Sequence, residues 1–490
     1  MIRSSSQKSA KISVLDELTN ILINKNKTDV GVVQFSNQFK IGRFLSVFSS
    51  IKKRGLPVIS VLLAMIFSRL GGVSIYAKQQ TGDLQMDDNT MYRLMNNPLI
   101  DWKSMLLSFT KEFLRCVASK GEKDNENNKI SQSKCFILDD TTIEKAGKTF
   151  EGLSKVHDHV SCSFVFGFKL LVLCYWDGKS LLPFGFSLHR ESKKKEYGLN
   201  KKQQKRQFKK ERDVAGFSQQ YIEELDEEKC KVAIRQIKRA VRNRILANYV
   251  LMDSWFISDF MIKSIREIKN GLLNVVGMCK MDKRKFEINE KLFNSHTIIK
   301  INEAKGKVQT SRKYKSKYIS VVASYDKTAV KLFYIKYKGA KNWTLLLTTD
   351  LSLSFVKTME LYQIRWSIEV MFKECKQYLR LGKSQNTDLC GQIADVALTF
   401  ITYTILTLYK RFENYETLGK LFRETQKFML EKTLCERIAL VVLKIITDLL
   451  EILCIDVEET IYRIIALETN NKSIQILLNA VYQLNNEHSK

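Results

Sequence analysis

Tyr362, Arg365, Glu369 and Lys376 follow one another at intervals of three, four and seven residues in LYQIRWSIEVMFKECKQYLR. At 3.6 residues per turn these intervals place all four side chains on one helix face. Ile364, Ile368, Met371, Phe372, Cys375 and Leu379 supply residues for burial, so the segment reads as a two-faced helix. One face packs, and the other carries a carboxylate fenced by two cations and a phenol. Taken alone, that polar face fits a solvated salt-bridge strip worth ~0.2–0.5 kcal/mol per pair. Such a strip would hold Glu369 on Arg365, whereas a reactive site needs Glu369 turned toward other acidic groups.

Two short apolar runs supply those groups. CFILDD at 135–140 and YVLMD at 249–253 each read as a buried strand ending in a carboxylate, Asp140 (with Asp139 beside it) and Asp253. Side chains at the carboxyl ends of adjacent strands converge at the edge of a sheet. Three carboxylates meeting there repel one another unless a divalent cation neutralises them, and a hard oxygen donor set without His or Cys points to magnesium or manganese. Two such ions roughly 3.5–4 Å apart can activate water or a 3′-hydroxyl on one side of a phosphodiester and stabilise the leaving oxygen on the other. Adjacent residues leave a strand on opposite faces, so Asp139 and Asp140 compete for the first position. Without the other motifs, each reads equally as a strand-end carboxylate capping a turn.

The charge balance asks for a polyanionic partner. Lys and Arg total 80 against 52 acidic residues, a net +28 on 490 residues, far more than solubility requires. Apolar stretches such as VISVLLAMIF and ITYTILTLY are too short for a membrane span and read as core helices. The start of the chain has no apolar core of a signal peptide, so a cytoplasmic protein without membrane contact is expected. The ten cysteines form no CxxC pair, which suits reduced, mostly buried thiols.

Around these residues the periodicity changes several times. Residues 1–130 read as helical, and in DDNTMYRLMNNP the residues Thr90, Tyr92, Arg93 and Asn96 spread over an exposed face. With the turn TGDLQM before it, this stretch reads either as the recognition helix of a helix-turn-helix or as part of a plain bundle. A polar linker at 121–134 precedes 131–271, where strands and helices alternate and 163–175 and 181–188 flank the turn WDGKS as a hairpin. The basic run at 190–213 reads as a mobile surface loop. Residues 272–352 alternate as a β-rich insert, 353–388 hold the polar-faced helix, and 389–490 read as further apolar helices. HDHVSCS at 157–163 gathers two of only five histidines, but a strand presents at most two of its residues to one ligand, and no role is assigned to it.

LDDTT at 138–142, LMDSWF at 251–256 and Tyr362-x2-Arg365-x3-Glu369-x6-Lys376 together resemble the DDE transposases of bacterial insertion sequences, in the insertion-sequence-4 branch. The resemblance covers about residues 130–385. It implies an α/β fold with a ribonuclease H-like catalytic core interrupted by the β-rich insert and flanked by helical regions. It implies Asp140, Asp253 and Glu369 as catalytic metal ligands for two Mg2+ or Mn2+ ions, with Asp140 preferred because the family motif reads Asp-Thr and Asp139 held in reserve. Tyr362, Arg365 and Lys376 then hold phosphates at the DNA terminus. Trp343, in the insert, takes the place of an aromatic residue that receives a flipped base. The N-terminal region, with Arg93, falls where such proteins bind DNA ends.

The function these readings imply is cut-and-paste transposition, by metal-dependent cleavage at element ends and strand transfer into target DNA. Its partners are double-stranded DNA, at the ends and at the target, and a second copy of the chain in a synaptic homodimer. Two other readings remain: a ribonuclease H-like nuclease without strand transfer, which has no need of Tyr362, Arg365 and Lys376, and a non-catalytic DNA-binding regulator.

Overall fold

The computed structural model describes residues 58–70, 88–119, 133–191, 197–209, 212, 216–412 and 417–423. The chain divides into two compact units, Met1–Ile41 with Phe422–Lys490, and Gly42–Leu421; the architecture that follows belongs to the second. Of the regions expected to be helical, residues 1–57, 71–87 (with the turn TGDLQM) and 424–490 lie outside the described residues, as does most of the linker at 121–134.

Helices come first: α1 (Val58–Leu70), α2 (Asp88–Met95) and α3 (Trp102–Ser119). Strands β1 (Cys135–Glu144), β2 (Ser154–Asp158), β3 (Ser163–Trp176) and β4 (Leu181–His189) precede α4 (Lys201–Gln204), α5 (Phe217–Asp226) and α6 (Lys229–Arg242). Next are β5 (Tyr249–Met252), α7 (Asp259–Glu267), β6 (Asn274–Cys279), β7 (Lys285–Ile288), β8 (Lys291–Asn294) and α8 (Ser295–Ala304). β9 (Gln309–Ser311), β10 (Ser316–Tyr325), β11 (Thr328–Tyr337) and β12 (Thr344–Thr348) lead to α9 (Phe355–Ile364), α10 (Trp366–Gln377) and α11 (Leu389–Phe412).

The described fold is mixed α/β around one large mixed sheet, ordered β2-β3-β1-β5-β6-β12-β11-β10-β7-β8, with β4 on β3 and β9 on β10. β1 pairs antiparallel with β3 and parallel with β5, and β5 pairs parallel with β6. The strands of 272–352 extend this same sheet, because β12 pairs with β6 and β11 with β12.

Helices cover both faces of the β4-β3-β1-β5 region. On one face Cys174 of β3 lies 3.7 Å, sulfur to sulfur, from Met371 of α10, and Phe186 of β4 meets Phe400 of α11 edge-on. On the other, α6 approaches so closely that a Cβ on Gly185 would come within 2.9 Å of the Gln236 side chain. α1, α2 and α3 pack on α11, so the described N-terminal helices belong to the same compact unit as the sheet. Over Leu389–Leu408, α11 is long and apolar enough by composition to cross a membrane, and that stretch is 100% buried within the unit. Its Thr399, Thr402, Thr404 and Thr407 hydroxyls donate back to carbonyls four residues earlier, at 2.7–2.9 Å, which satisfies them inside an apolar core. Among the described cysteines all are free thiols, and only Cys162 is exposed.

Three local readings are corrected. β1 runs through to Glu144 in unbroken register with β3, Cys135↔Trp176 to Glu144↔Gly167, so Asp139 and Asp140 lie within a strand, not at its end. The β-branched run Thr141-Thr142-Ile143 favours extension, and Gly167 permits the close crossing, since a Cβ there would sit 2.0 Å from the Ile143 carbonyl oxygen. The polar-faced helix is interrupted at Arg365, where the bonds Arg365 N–H to Tyr362 O (3.0 Å) and Ile368 N–H to Arg365 O (3.1 Å) tighten the turn to three residues. The basic run at 190–213 is anchored where it is described: Arg190 pairs with Asp226 and lies 3.9 Å over the Tyr197 ring, and Arg212 pairs with Glu151.

Candidate active site

The parallel pairing of β1 with β5 ends at Leu138↔Met252, so Asp139 and Asp253 occupy the next positions on adjacent strands. Asp139 Oδ1 accepts from the Asp140 N–H at 2.8 Å, and Asp253 Oδ1 accepts from the Trp255 N–H at 3.1 Å. Burial pushes the Asp139 carboxyl up to about 7 despite the opposing charge of Arg365, and the neighbouring Asp253 and Asp140 add to the rise. Burial also raises Asp253, against the Trp255 and Phe256 backbone N–H groups and Arg365, which favour its ionised form. Two desolvated carboxylates held side by side disfavour double ionisation unless positive charge is brought in.

Arg365 brings it from the helix break. Its Nη1 donates to Asp139 Oδ2 at 2.9 Å and its Nη2 to Glu369 Oε1 at 2.6 Å. The Arg365 side chain is only 11% exposed and Glu369 is 35% exposed, so this is not the solvated strip that helix spacing alone suggests. Arg365 Nε is buried without a partner among the described residues. Tyr362 lies beside the guanidinium, 5.5 Å from ring centroid to Cζ; burial raises its hydroxyl pKa and Arg365 counters part of the rise. Five of the six residues expected to pack are buried, namely Ile368, Met371, Phe372, Cys375 and Leu379, while Ile364 is half-buried.

Asp140 points the other way. It pairs with Lys229 at the start of α6, and the Lys229 ammonium sits 3.9 Å over the ring of Trp255. Asp139, held in reserve on sequence grounds, is thus the residue linked to Glu369 through Arg365, while the preferred Asp140 lies on the opposite face of β1. Strand alternation decides this, since consecutive side chains cannot share a face.

Lys376 stands apart from Arg365, donating to Thr141 Oγ1 at 2.7 Å. Burial lowers its pKa, Asp158 counteracts that, and Lys169 and Lys383 add to it. Lys169 is buried and donates to Thr142 Oγ1 at 3.1 Å. In HDHVSCS, Asp158 caps the β2–β3 turn by accepting from the Ser161 N–H (2.9 Å) and Oγ–H (2.8 Å). Burial alone would raise Asp158, but those bonds, Thr142 and Lys169 bring it down to about 2. Trp343 is half-buried just before β12, with Lys336 Nζ 6.0 Å from its ring centroid. Arg93 is exposed on α2 and makes no hydrogen bond or ion pair with the other candidates.

Lys229, Trp255, Thr141 and Lys169 were not singled out as site residues from sequence. Lys169 carries a visible signal, a lone cation inside the apolar strand SFVFGFKLLVLCYW; Lys229, at a helix start after a Glu pair, carries none.

The donor chemistry of Asp139, Asp253 and Glu369 is all-oxygen and anionic, which fits a hard divalent cation. Among the described residues no three His, Cys, Asp or Glu side chains close round one point as a metal site requires, because the Arg365 guanidinium stands between Asp139 and Glu369. For Glu369 to join the two aspartates on a cation, Arg365 must turn away. No family model matches the chain, and no characterised protein matches it in sequence.

Proposed function

We propose that the chain is a DDE-type DNA transposase that cleaves DNA at the ends of a mobile element and joins the freed 3′-hydroxyl to target DNA. The observation that carries this reading is Arg365 bridging Asp139, beside Asp253 on the neighbouring parallel strand, to Glu369 on α10. Three carboxylates share one guanidinium there, which leaves excess negative charge facing the end of the sheet. The strand order supports a ribonuclease H-like core: β4, β3 and β1 alternate in direction, then β5 and β6 run parallel to β1.

Asp139, Asp253 and Glu369 would hold one or two Mg2+ or Mn2+ ions, whose chemistry is to polarise the phosphodiester and lower the pKa of the attacking water or hydroxyl. Arg365, released from its carboxylates, presents a planar fork suited to two phosphate oxygens, and its unpartnered Nε adds a donor. Tyr362 limits where that guanidinium can swing. Lys376, on the strand side at Thr141, provides a compact positive charge for a phosphate further along the same DNA strand. Trp255, exposed beside Asp253, offers a flat ring close to the reacting atoms.

The test uses a plasmid carrying the gene with its flanking DNA, incubated with purified protein and Mg2+. Excision of the element with free 3′-hydroxyl ends is expected from the native protein and is absent from Glu369→Gln. Cleavage by Glu369→Gln at the native rate would remove the assignment. Clean excision without joined products would favour a nuclease that lacks strand transfer.

A further inference from the structure

We propose that the outer end of the β10–β11 ribbon is a second DNA contact, where Lys315, Lys317, Lys336 and Lys338 hold the phosphate backbone of duplex DNA beyond the carboxylates. This rests on the reading of the carboxylate cluster as a DNA site. Residues 280–341 contain 17 Lys or Arg against 5 Asp or Glu, so 62 residues carry +12 of the net +28. Sequence spreads these charges over five strands and a helix, and strand register gathers four of them.

Lys317 lies directly opposite Lys336 in the antiparallel pairing, and opposite residues project from the same face of a sheet. Lys315 and Lys338 follow at the ribbon's end, joined by the Lys338 N–H to the Lys315 carbonyl at 3.1 Å. Lys315, Lys317 and Lys338 are exposed and Lys336 is half-buried. None of the four makes an ion pair with a described carboxylate, whereas neighbouring Lys313 pairs with Glu360 and Arg284 with Asp282. Directly opposed like charges destabilise a ribbon, and an anion lying across them removes that penalty.

The block lies at the same end of the sheet as Asp253. Met252 is level with Gly277, Gly277 with Leu347, Leu347 with Leu332 and Leu332 with Val321; from that row both Asp253 and the lysines extend toward the same edge. Asp253 is on the face where Tyr318 and Phe333 meet Phe355 of α9 and the lysines are on the opposite face, so a duplex meeting both lies across that edge. β11 and β10 are the third and fourth strands from β5, so at ~4.8 Å per strand the block sits on the order of 14–19 Å to the side. The lysines also stand three to five residues further along their strands than Asp253, roughly 10–17 Å at ~3.3 Å per residue. The combined separation of about 17–25 Å spans about five to seven phosphates that advance ~3.4 Å per strand. Lysines act as hydrated point charges without a planar fork, which suits backbone tracking without base reading.

The test replaces all four lysines by Ala in the full chain and measures binding to a duplex of random sequence by fluorescence anisotropy, over about 50–200 mM salt. At ~0.9 per neutralised phosphate, the slope of log K against log salt is expected to fall by about 3 to 4, with affinity at 0.1 M salt at least tenfold weaker. The four-fold Arg variant should retain both, and thermal melting should show each variant folded. Native slope and affinity in the folded Ala variant would overturn the proposal, as would loss of binding to anionic phosphatidylglycerol vesicles with DNA binding unchanged. Failure of the native protein to excise DNA while the slope still depends on the lysines would instead count against the transposase reading alone.

Discussion

Asp139 and Asp140 are neighbours of identical chemistry on one strand, and the two faces of β1 treat them differently. On the α6 face, Asp140 meets a single cation, Lys229, which also lies over Trp255. On the α10 face, Asp139, Asp253 and Glu369 share the one guanidinium of Arg365, two of them by direct bonds. The first face is balanced one to one. The second holds more carboxylates than cations in a desolvated setting, so only there does a divalent ion gain a large electrostatic advantage.

The largest effect should come from exchanging the two aspartates' roles by mutation. Asp139→Asn is expected to reduce Mg2+-dependent cleavage by about a thousandfold or more, equivalent to ~4 kcal/mol in the barrier. Asp140→Asn should leave cleavage within about tenfold of native. The reverse ranking in a single-turnover assay would return Asp140 to the metal and break the contrast between the faces.

Arg365→Ala should follow. Removing one partner of a buried ionic cluster leaves its carboxylates uncompensated, and urea unfolding at neutral pH without divalent ions should show a loss of about 3 kcal/mol. Added Mg2+ should recover part of that loss, because a ligand that binds only the folded chain stabilises it. A variant as stable as the native protein would mean that Arg365 does not balance the cluster.

A pH series sharpens the comparison further. In the folded chain Asp139 is raised from 3.8 to about 7, so the folded state retains a proton that the unfolded chain loses near pH 4. Its stability contribution is therefore full below about pH 4 and is lost as pH rises through about 7. Relative to the native protein, Asp139→Asn should gain about 4 kcal/mol between pH 4 and pH 8 in metal-free buffer, at ~1.36 kcal/mol per pH unit. Parallel stability curves for the two proteins would show that Asp139 is not desolvated as described. The smallest effect on cleavage belongs to the balanced face: Lys229→Ala strands Asp140, only 16% exposed, and should cost about 3 kcal/mol by thermal denaturation while changing cleavage little.

Much of the arrangement was legible in the sequence. The runs CFILDD and YVLMD are short, apolar and β-rich, and both became paired central strands. The hairpin around WDGKS formed as its flanking strands required. Five of the six packing residues of the polar-faced helix are buried, because a 3.6-residue period is a local property of the chain. The break at Arg365 was not legible, since no Pro or Gly marks it and the interruption shows only in the three-residue turn bonds.

Residue types and spacing by themselves determined that this chain carries acidic strand residues, a Tyr-Arg-Glu-Lys helix and a large positive excess, since these need only counting and periodicity. Only the tertiary structure decided which aspartate meets Glu369, that Arg365 stands between them, and that four dispersed lysines become one block. Each of those outcomes depends on strand register, and register is set by long-range pairing of β1 with β5 and of β10 with β11, where a one-residue shift sends every side chain to the opposite face.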